Sequence, residues 1–141
     1  MITVDFLLHP TPQDKSRILS IYHHQQWWPE TVTDLQRIDR VLQGSHCYVT
    51  AREEGKIIGM GRALSDGVGD AYIHDVIVVE SHRRQGIALR IVNMLVERLE
   101  KDGITWIGLI AEKGSPPLYR KFGFAPLEGS VPMFRFETRH L

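Results

Sequence analysis

Cysteine is almost absent from this chain. Cys47 is the only one among 141 residues, which excludes an internal disulfide and a cysteine-built metal cluster and fits a reducing compartment, so a cytoplasmic location is expected. An excess of either charge is missing too, since 17 Lys and Arg stand against 17 Asp and Glu. No overall field draws the chain to nucleic acid or to an anionic membrane, and any anion site must therefore be local. No apolar run approaches the roughly 18 residues of a membrane span. The opening MITVDFLLHP lacks the basic start and small-residue cleavage site of a signal peptide. Repeats, low-complexity tracts and linkers are also lacking. A chain of this length and kind reads as one domain, residues 1–141, with a two-layer core.

What is present is an alternation of strand and helix patterns. ITVDFLL alternates as a strand, and PTPQDKSRILSIYHHQQ places Ile18, Leu19 and Tyr22 on one helical face. TVTDLQRIDRVLQ repeats Val32, Leu35, Ile38, Val41 and Leu42 at helical spacing, with Gly44 as its end. HCYVTARE and IIGMGRAL flank the turn EGK as a β-hairpin. AYIHDVIVV is rich in β-branched residues and reads as the central strand, buried on both faces in its second half. Beyond Gly86, Ala88, Ile91, Val92, Leu95 and Leu99 form the apolar stripe of a long helix, and ITWIGLIA follows as a strand. A long helix between two strands favours a parallel pair joined by a right-handed crossover. Ser115 is placed to cap a short helix that Gly123 ends, and a last strand is expected around MFRFE.

The stretch RRQGIA follows the central strand and opens the long helix. The unpaired N–H groups of a helix's first turn favour an anion, and Gly86 lets the backbone approach it closely. Arg83 and Arg84 add charge-assisted donors. Neither a G-x-x-x-x-G-K-[ST] loop nor a full G-x-G-x-x-G is present. VIVVESHRRQGIALRIVNMLVERL resembles the acetyl-coenzyme A signature of the GCN5-related N-acetyltransferase (GNAT) superfamily, with Arg83, Gly86 and Ala88 filling [QR]-x-x-G-x-[GA]. PPLYRKFGFAP, downstream, is similar to that family's second signature, an aromatic-bearing helix closed by Gly-Phe.

The resemblance implies an α/β fold of the α+β kind, with a mixed sheet flanked by helices and splayed between its fourth and fifth strands. It implies acetyl-CoA as cosubstrate, its pantetheine along Val76, Ile77 and Val78. Its pyrophosphate would lie at Arg83, Arg84, Gln85, Gly86, Ile87, Ala88 and Leu89. Tyr119 matches the family tyrosine beside the coenzyme sulfur, and a phenol can protonate a departing thiolate. The amine must lose a proton before attack, and Asp75 and Glu112, near strand ends that flank the thioester in this family, lead as bases. His74 neighbours Asp75, and regular alternation would point the two to opposite faces. Asp66 precedes that strand and is a candidate acceptor contact.

In this family the loop between the first two helices walls the acceptor site. Here that loop carries Trp27 and Trp28, which offer faces to an aryl group or an ammonium, or else plug the core. His23 and His24 are adjacent and do not share a helical face, so no metal is assigned. The expected activity is acetyl transfer from acetyl-CoA to a primary amine of a small molecule or peptide by direct attack in a ternary complex. The alternative is a non-catalytic acyl-CoA-binding regulatory module. Neither nucleic acid nor membrane is an expected partner, and an exposed sheet edge would allow a homodimer.

Overall fold

The computed structural model describes residues 1–112 and 114–135. The chain divides at Leu109/Ile110 into two compact units, and the described residues of the second run from Ile110 to Arg135.

In the first unit, β1 (Ile2–Phe6) leads into α1 (Pro12–His24). Helix α1 starts with a capping box: Thr11 Oγ1 accepts the Asp14 N–H at 3.1 Å, and Asp14 Oδ2 accepts the Thr11 N–H at 3.0 Å. Helix α2 (Leu35–Gly44) starts later than its apolar spacing suggests, because Asp34 caps it by accepting the Gln36 N–H at 2.8 Å. Val32 therefore lies ahead of the helix, where its carbonyl accepts a hydrogen bond from His23 Nε2.

β2 (Cys47–Glu53) and β3 (Lys56–Ser65) form the expected hairpin. Glu54 and Gly55 both have positive φ, 51° and 80°, as a type I′ turn requires. β4 (Asp70–Val78) pairs antiparallel with β3. Helix α3 (Ile87–Lys101) then crosses over to β5 (Trp106–Gly108), which runs parallel to β4. The sheet order is β1-β2-β3-β4-β5. Pairing of β4 with β5 stops at Tyr72–Gly108 although β4 continues to Val78, so the sheet opens between its fourth and fifth strands. That opening explains why Val76 and Ile77 are only half-buried rather than enclosed on both faces.

Helices cover both faces of the sheet. Tyr48, Ile57 and Met60 pack with Ile18, Leu19, Ile21, Tyr22 and Ile38 of the first two helices. The other face receives α3 through buried Ile87, Ile91, Val92, Leu95 and Leu99, whereas Ala88 is only half-buried beside this stripe. Gly59 and Gly61 make this approach possible. A Cβ on Gly61 would lie 2.8 Å from Ile91 Cγ2 and 3.2 Å from Leu95 Cδ1, and one on Gly59 would lie 3.1 Å from Ile91 Cδ1. The two glycines in IIGMGRAL are thus a groove for the helix.

The β3–β4 register is interrupted. Met60 pairs with Ile77 and Arg62 with His74, so Gly61 faces both Asp75 and Val76. Asp75 sits at φ 57°, which marks a β-bulge with a left-handed non-glycine residue.

In the second unit, α4 spans Pro116–Arg120. Ser115 does not cap it. Its backbone is already helical (φ −96°, ψ −14°), and its Oγ donates instead to the Glu112 carbonyl at 2.7 Å. Gly123, at φ 84°, closes the turn by donating its N–H to the Arg120 carbonyl. Met133, Phe134 and Arg135 are not in a strand, and the rest of the strand expected at MFRFE lies outside the described residues.

Candidate active site

The loop ahead of α3 is built from backbone. After a single 3-10 turn at Glu80–His82, Arg84 and Gly86 both adopt left-handed φ, 65° and 76°. Gly86 is the N-cap of α3 and supplies no side chain, so the first-turn N–H groups have no side-chain cap. Nothing lies within 4 Å of where a Gly86 Cβ would be. The glycine therefore serves its backbone conformation and leaves open space in front of a positive helix end, which suits a pyrophosphate. Arg83, Arg84 and Gln85 are exposed around it. Arg83 also donates from Nε to the Val78 carbonyl at 3.0 Å, tying the loop to the end of β4. Ile87 turns into the core, while Ala88 and Leu89 stay half-buried in the first turn.

The second cluster is built from side chains brought together from far apart in sequence. Asp75, with only 7% of its side chain exposed, accepts from three donors. Tyr22 Oη donates to its Oδ2 at 2.5 Å, Arg62 Nε to the same oxygen at 2.8 Å, and His74 Nε2 lies 2.9 Å from Oδ1. Burial raises the Asp75 pKa, but the hydrogen bonds from His74 and Tyr22 and the charges of His74 and Arg62 outweigh it and hold the carboxyl below its usual value. Burial and the neighbouring Tyr48 and Asp75 push the Tyr22 phenol well above its ordinary range, which keeps it a neutral donor. His74 keeps 42% of its side chain exposed.

The bulge overturns the expected alternation. His74 and Asp75 do not point apart but form a contacting pair, because the left-handed residue folds the carboxylate back onto the imidazole. Nor are they at the start of the strand: they lie in its middle, where β4 has already parted from β5.

Trp27 and Trp28 pack half-buried against the core cluster. Trp28 stacks on Tyr22 with centroids 4.1 Å apart and planes 7° apart, and the Arg37 guanidinium sits 4.5 Å from its ring centroid. The cation on Trp28 is thus the protein's own. Trp27 meets Tyr22 at 5.8 Å, tilted by 60°. Asp66 lies in the exposed β3–β4 turn, where its Oδ1 accepts the Val68 N–H at 2.9 Å and shapes the loop. An open cleft of about 580 Å³ lies between the segment before α2, α2 itself and β3, with Arg37, Arg40 and Arg62 in its lining.

Tyr119 and Glu112 belong to the second unit. The Tyr119 ring is half-buried and meets Phe124 edge-on, centroids 6.1 Å apart, and its carbonyl accepts the N–H groups of Phe122 and Phe124. Glu112 is exposed, and its carbonyl accepts the Ser115 N–H and hydroxyl. Among the described residues no group of three or more His, Cys, Asp or Glu is placed to hold a metal ion. Cys47 is buried, and burial pushes its thiol up to about 11, which makes it inert. Among the described residues no helix is long and apolar enough to cross a membrane.

Tyr22 and Arg62 were not singled out from the sequence. In the sequence, Tyr22 is part of an apolar stripe with Ile18 and Leu19. Arg62 carried a usable signal, a lone cation inside a strand of small and apolar residues.

A splayed mixed sheet whose fourth strand leads into an uncapped helix N-terminus defines the acetyltransferase class of coenzyme-binding folds. The sequence matches the Acetyltransferase (GNAT) family over residues 12–124, and the chain belongs to that family. It is 38% identical over 84 residues to GCN5-related N-acetyltransferase 2, chloroplastic, of Arabidopsis thaliana, an alignment covering 59% of this chain and 33% of that protein. The chain thus spans about a third of that relative's length. In fold it is similar to a probable acetyltransferase of meticillin-resistant Staphylococcus aureus, with a TM-score of 0.75, 24% identity and coverage of 97% and 100% of the two chains. It is also similar to a predicted acetyltransferase from Clostridium acetobutylicum solved with acetyl-CoA (TM-score 0.69, 19% identity, 95% and 96% covered).

Proposed function

We propose that this chain is an acetyl-CoA-dependent N-acetyltransferase that moves the acetyl group directly to a primary amine within a ternary complex. The observation that carries the reading is the uncapped, glycine-started N-terminus of α3 placed directly after the open edge of β4. The coenzyme supplies an activated thioester. Main-chain groups of Val76, Ile77 and Val78 line it, and the amides of the loop and first turn of α3, from Arg84 to Leu89, hold its pyrophosphate. The family match runs across both compact units, which supports their working as one domain.

For the proton chemistry, the geometry favours His74 over Asp75 as the acceptor of the amine proton. Asp75 already receives three donors and has a lowered pKa, so it is a weak base and a good orienting group. His74 is half-exposed, and its ring is fixed by that carboxylate. As the amine nitrogen bonds to the acyl carbon, its proton passes to His74, directly or through a water. The carbon–sulfur bond breaks, and Tyr119, by its match to the family signature, returns a proton to the sulfur. Glu112 is the other carboxylate to which the resemblance points. A reducing compartment suits the buried thiol, and the cytoplasm is the simplest such location.

A thermal-shift titration with acetyl-CoA, controlled with adenosine diphosphate, tests the binding. Ligand at 100 times its Kd adds about 2.7 kcal/mol of stability. No shift at saturating coenzyme would overturn the reading. For the acid, Tyr119→Phe should lower turnover far more than coenzyme affinity; an unchanged maximal rate and pH profile would remove Tyr119 from the role.

A further inference from the structure

We propose that the arginine cleft is the acceptor subsite and that it selects amines carrying an oxyanion, a carboxylate or a phosphate, at the end remote from the reacting nitrogen. The inference rests on the acetyltransferase reading and names the class of its acceptor.

Three guanidinium groups, those of Arg37, Arg40 and Arg62, line one cleft of about 580 Å³. That volume falls in the range of small-molecule sites. The chain as a whole is neutral, so the concentration is local. Asp34 is the one carboxylate in the lining, and its Oδ1 already caps α2 by accepting the Gln36 N–H. Arg37 and Arg40 form no ion pair among the described residues. Elsewhere in the first unit, by contrast, Lys15, Arg52 and Arg98 each meet a carboxylate within 3 Å.

Two of the three arginines are held in place. Arg37 lies over the Trp28 ring, which is itself stacked on Tyr22. Arg62 is 14% exposed, with Nε bonded to Asp75 and Nη1 3.4 Å from Ser45 Oγ. Its Nη2 makes no hydrogen bond among the described residues. A held guanidinium recognises a planar or tetrahedral oxyanion with less loss of side-chain entropy than a free lysine would. Arg62 also connects this cleft to the proton acceptor, because it is the cross-strand partner of His74 and shares Asp75 with it. An acceptor whose anionic end meets Arg37 and Arg40 therefore has its amine end directed toward the His74 side of the same network.

The test compares matched pairs of acceptors over several chain lengths: aminoalkyl phosphates against the parent amino alcohols, and amino acids against their amides. Turnover is followed by thiol release from acetyl-CoA in the wild type, Arg40→Gln and Arg37→Gln. The anionic member should be preferred by about tenfold or more in kcat/KM, as one lost charge-assisted contact implies. The preference should shrink toward unity in either variant and with rising ionic strength. Which pair shows the larger ratio distinguishes carboxylate from phosphate. Coenzyme binding with turnover but equal or reversed preference overturns the inference and leaves the acetyltransferase reading standing. If acetyl-CoA neither binds nor is consumed with any amine, that reading fails. Calorimetry with the same pairs then decides the inference: tighter binding of the anionic member, lost in Arg40→Gln, sustains it, and equal binding overturns it.

Discussion

The two halves of the candidate site are constructed from different materials. The loop around Gly86, proposed to hold the coenzyme, is contiguous in sequence and presents backbone N–H groups at the start of α3. The His74–Asp75–Arg62–Tyr22 network is assembled from α1, β3 and β4 and presents side chains. A backbone site tolerates many side chains but few changes of φ, whereas a side-chain site depends on every partner and on the strand geometry that phases them. The first half fits a ligand common to a family and the second an acceptor particular to one member.

The largest expected effect falls on the side-chain half. His74→Gln should lower kcat by about 10²- to 10⁴-fold, the usual worth of a positioned base, with coenzyme affinity unchanged. A variant with wild-type turnover would move the proton to Glu112 or to water. Asp75→Asn should leave Arg62 facing a neutral partner in a half-buried site and cost about 3 kcal/mol of stability, read by chemical denaturation. The pH dependence has a definite sign. Asp75 has a folded pKa below its ordinary 3.8, so its contribution is complete above that value and is lost as pH falls through the lowered one. Stability should therefore drop below about pH 4 in the wild type, and more shallowly in Asp75→Asn. Equal acid limbs in the two proteins would mean that other carboxylates, such as Asp14 with its Arg52 partner, dominate.

Smaller effects should mark the framework and the backbone half. Gly61→Ala places a methyl group 2.8 Å from Ile91 and should cost about 1–3 kcal/mol by overpacking, a loss of several degrees in Tm. An unchanged Tm would show that α3 can shift outward. Gly86→Val meets no neighbour in the protein but must hold φ 76°. It should weaken acetyl-CoA binding by about tenfold, from about 1–2 kcal/mol of left-handed strain, with turnover at saturation nearly retained. Unchanged affinity by calorimetry would remove Gly86 from the pyrophosphate site.

The same division explains what the sequence made legible. Element order, the parallel β4–β5 crossover and the glycine start of α3 follow from patterns a few residues long, the alternation in ITVDF, the stripe from Ile87 to Leu99 and the Gly86 turn. The side-chain network did not, because Tyr22 and Asp75 are 53 residues apart and nothing local joins them. The contact between His74 and Asp75 is equally invisible in the sequence, since a period of two cannot foresee a bulge. The glycines of IIGMGRAL carry no local signal of their role, because its reason, the approach of Ile91 and Leu95, lies on another element.

The bulge at Asp75 has a consequence for how the chain tolerates insertions and deletions. Before it, His74 shares the face of Arg62; after it, Ile77 shares the face of Met60 and Val76 meets the α3 side beside Gly61. The strand therefore runs in two phases that differ by one residue, and Asp75 is the extra residue between them. Removing that single position would restore regular pleating and keep Ile77 and Val78 on their present faces. Lengthening the Asp66–Gly69 turn by a residue would leave both phases intact. In this family member, a one-residue gap at Asp75 should leave the sheet in register while removing the carboxylate on which Tyr22, Arg62 and His74 converge.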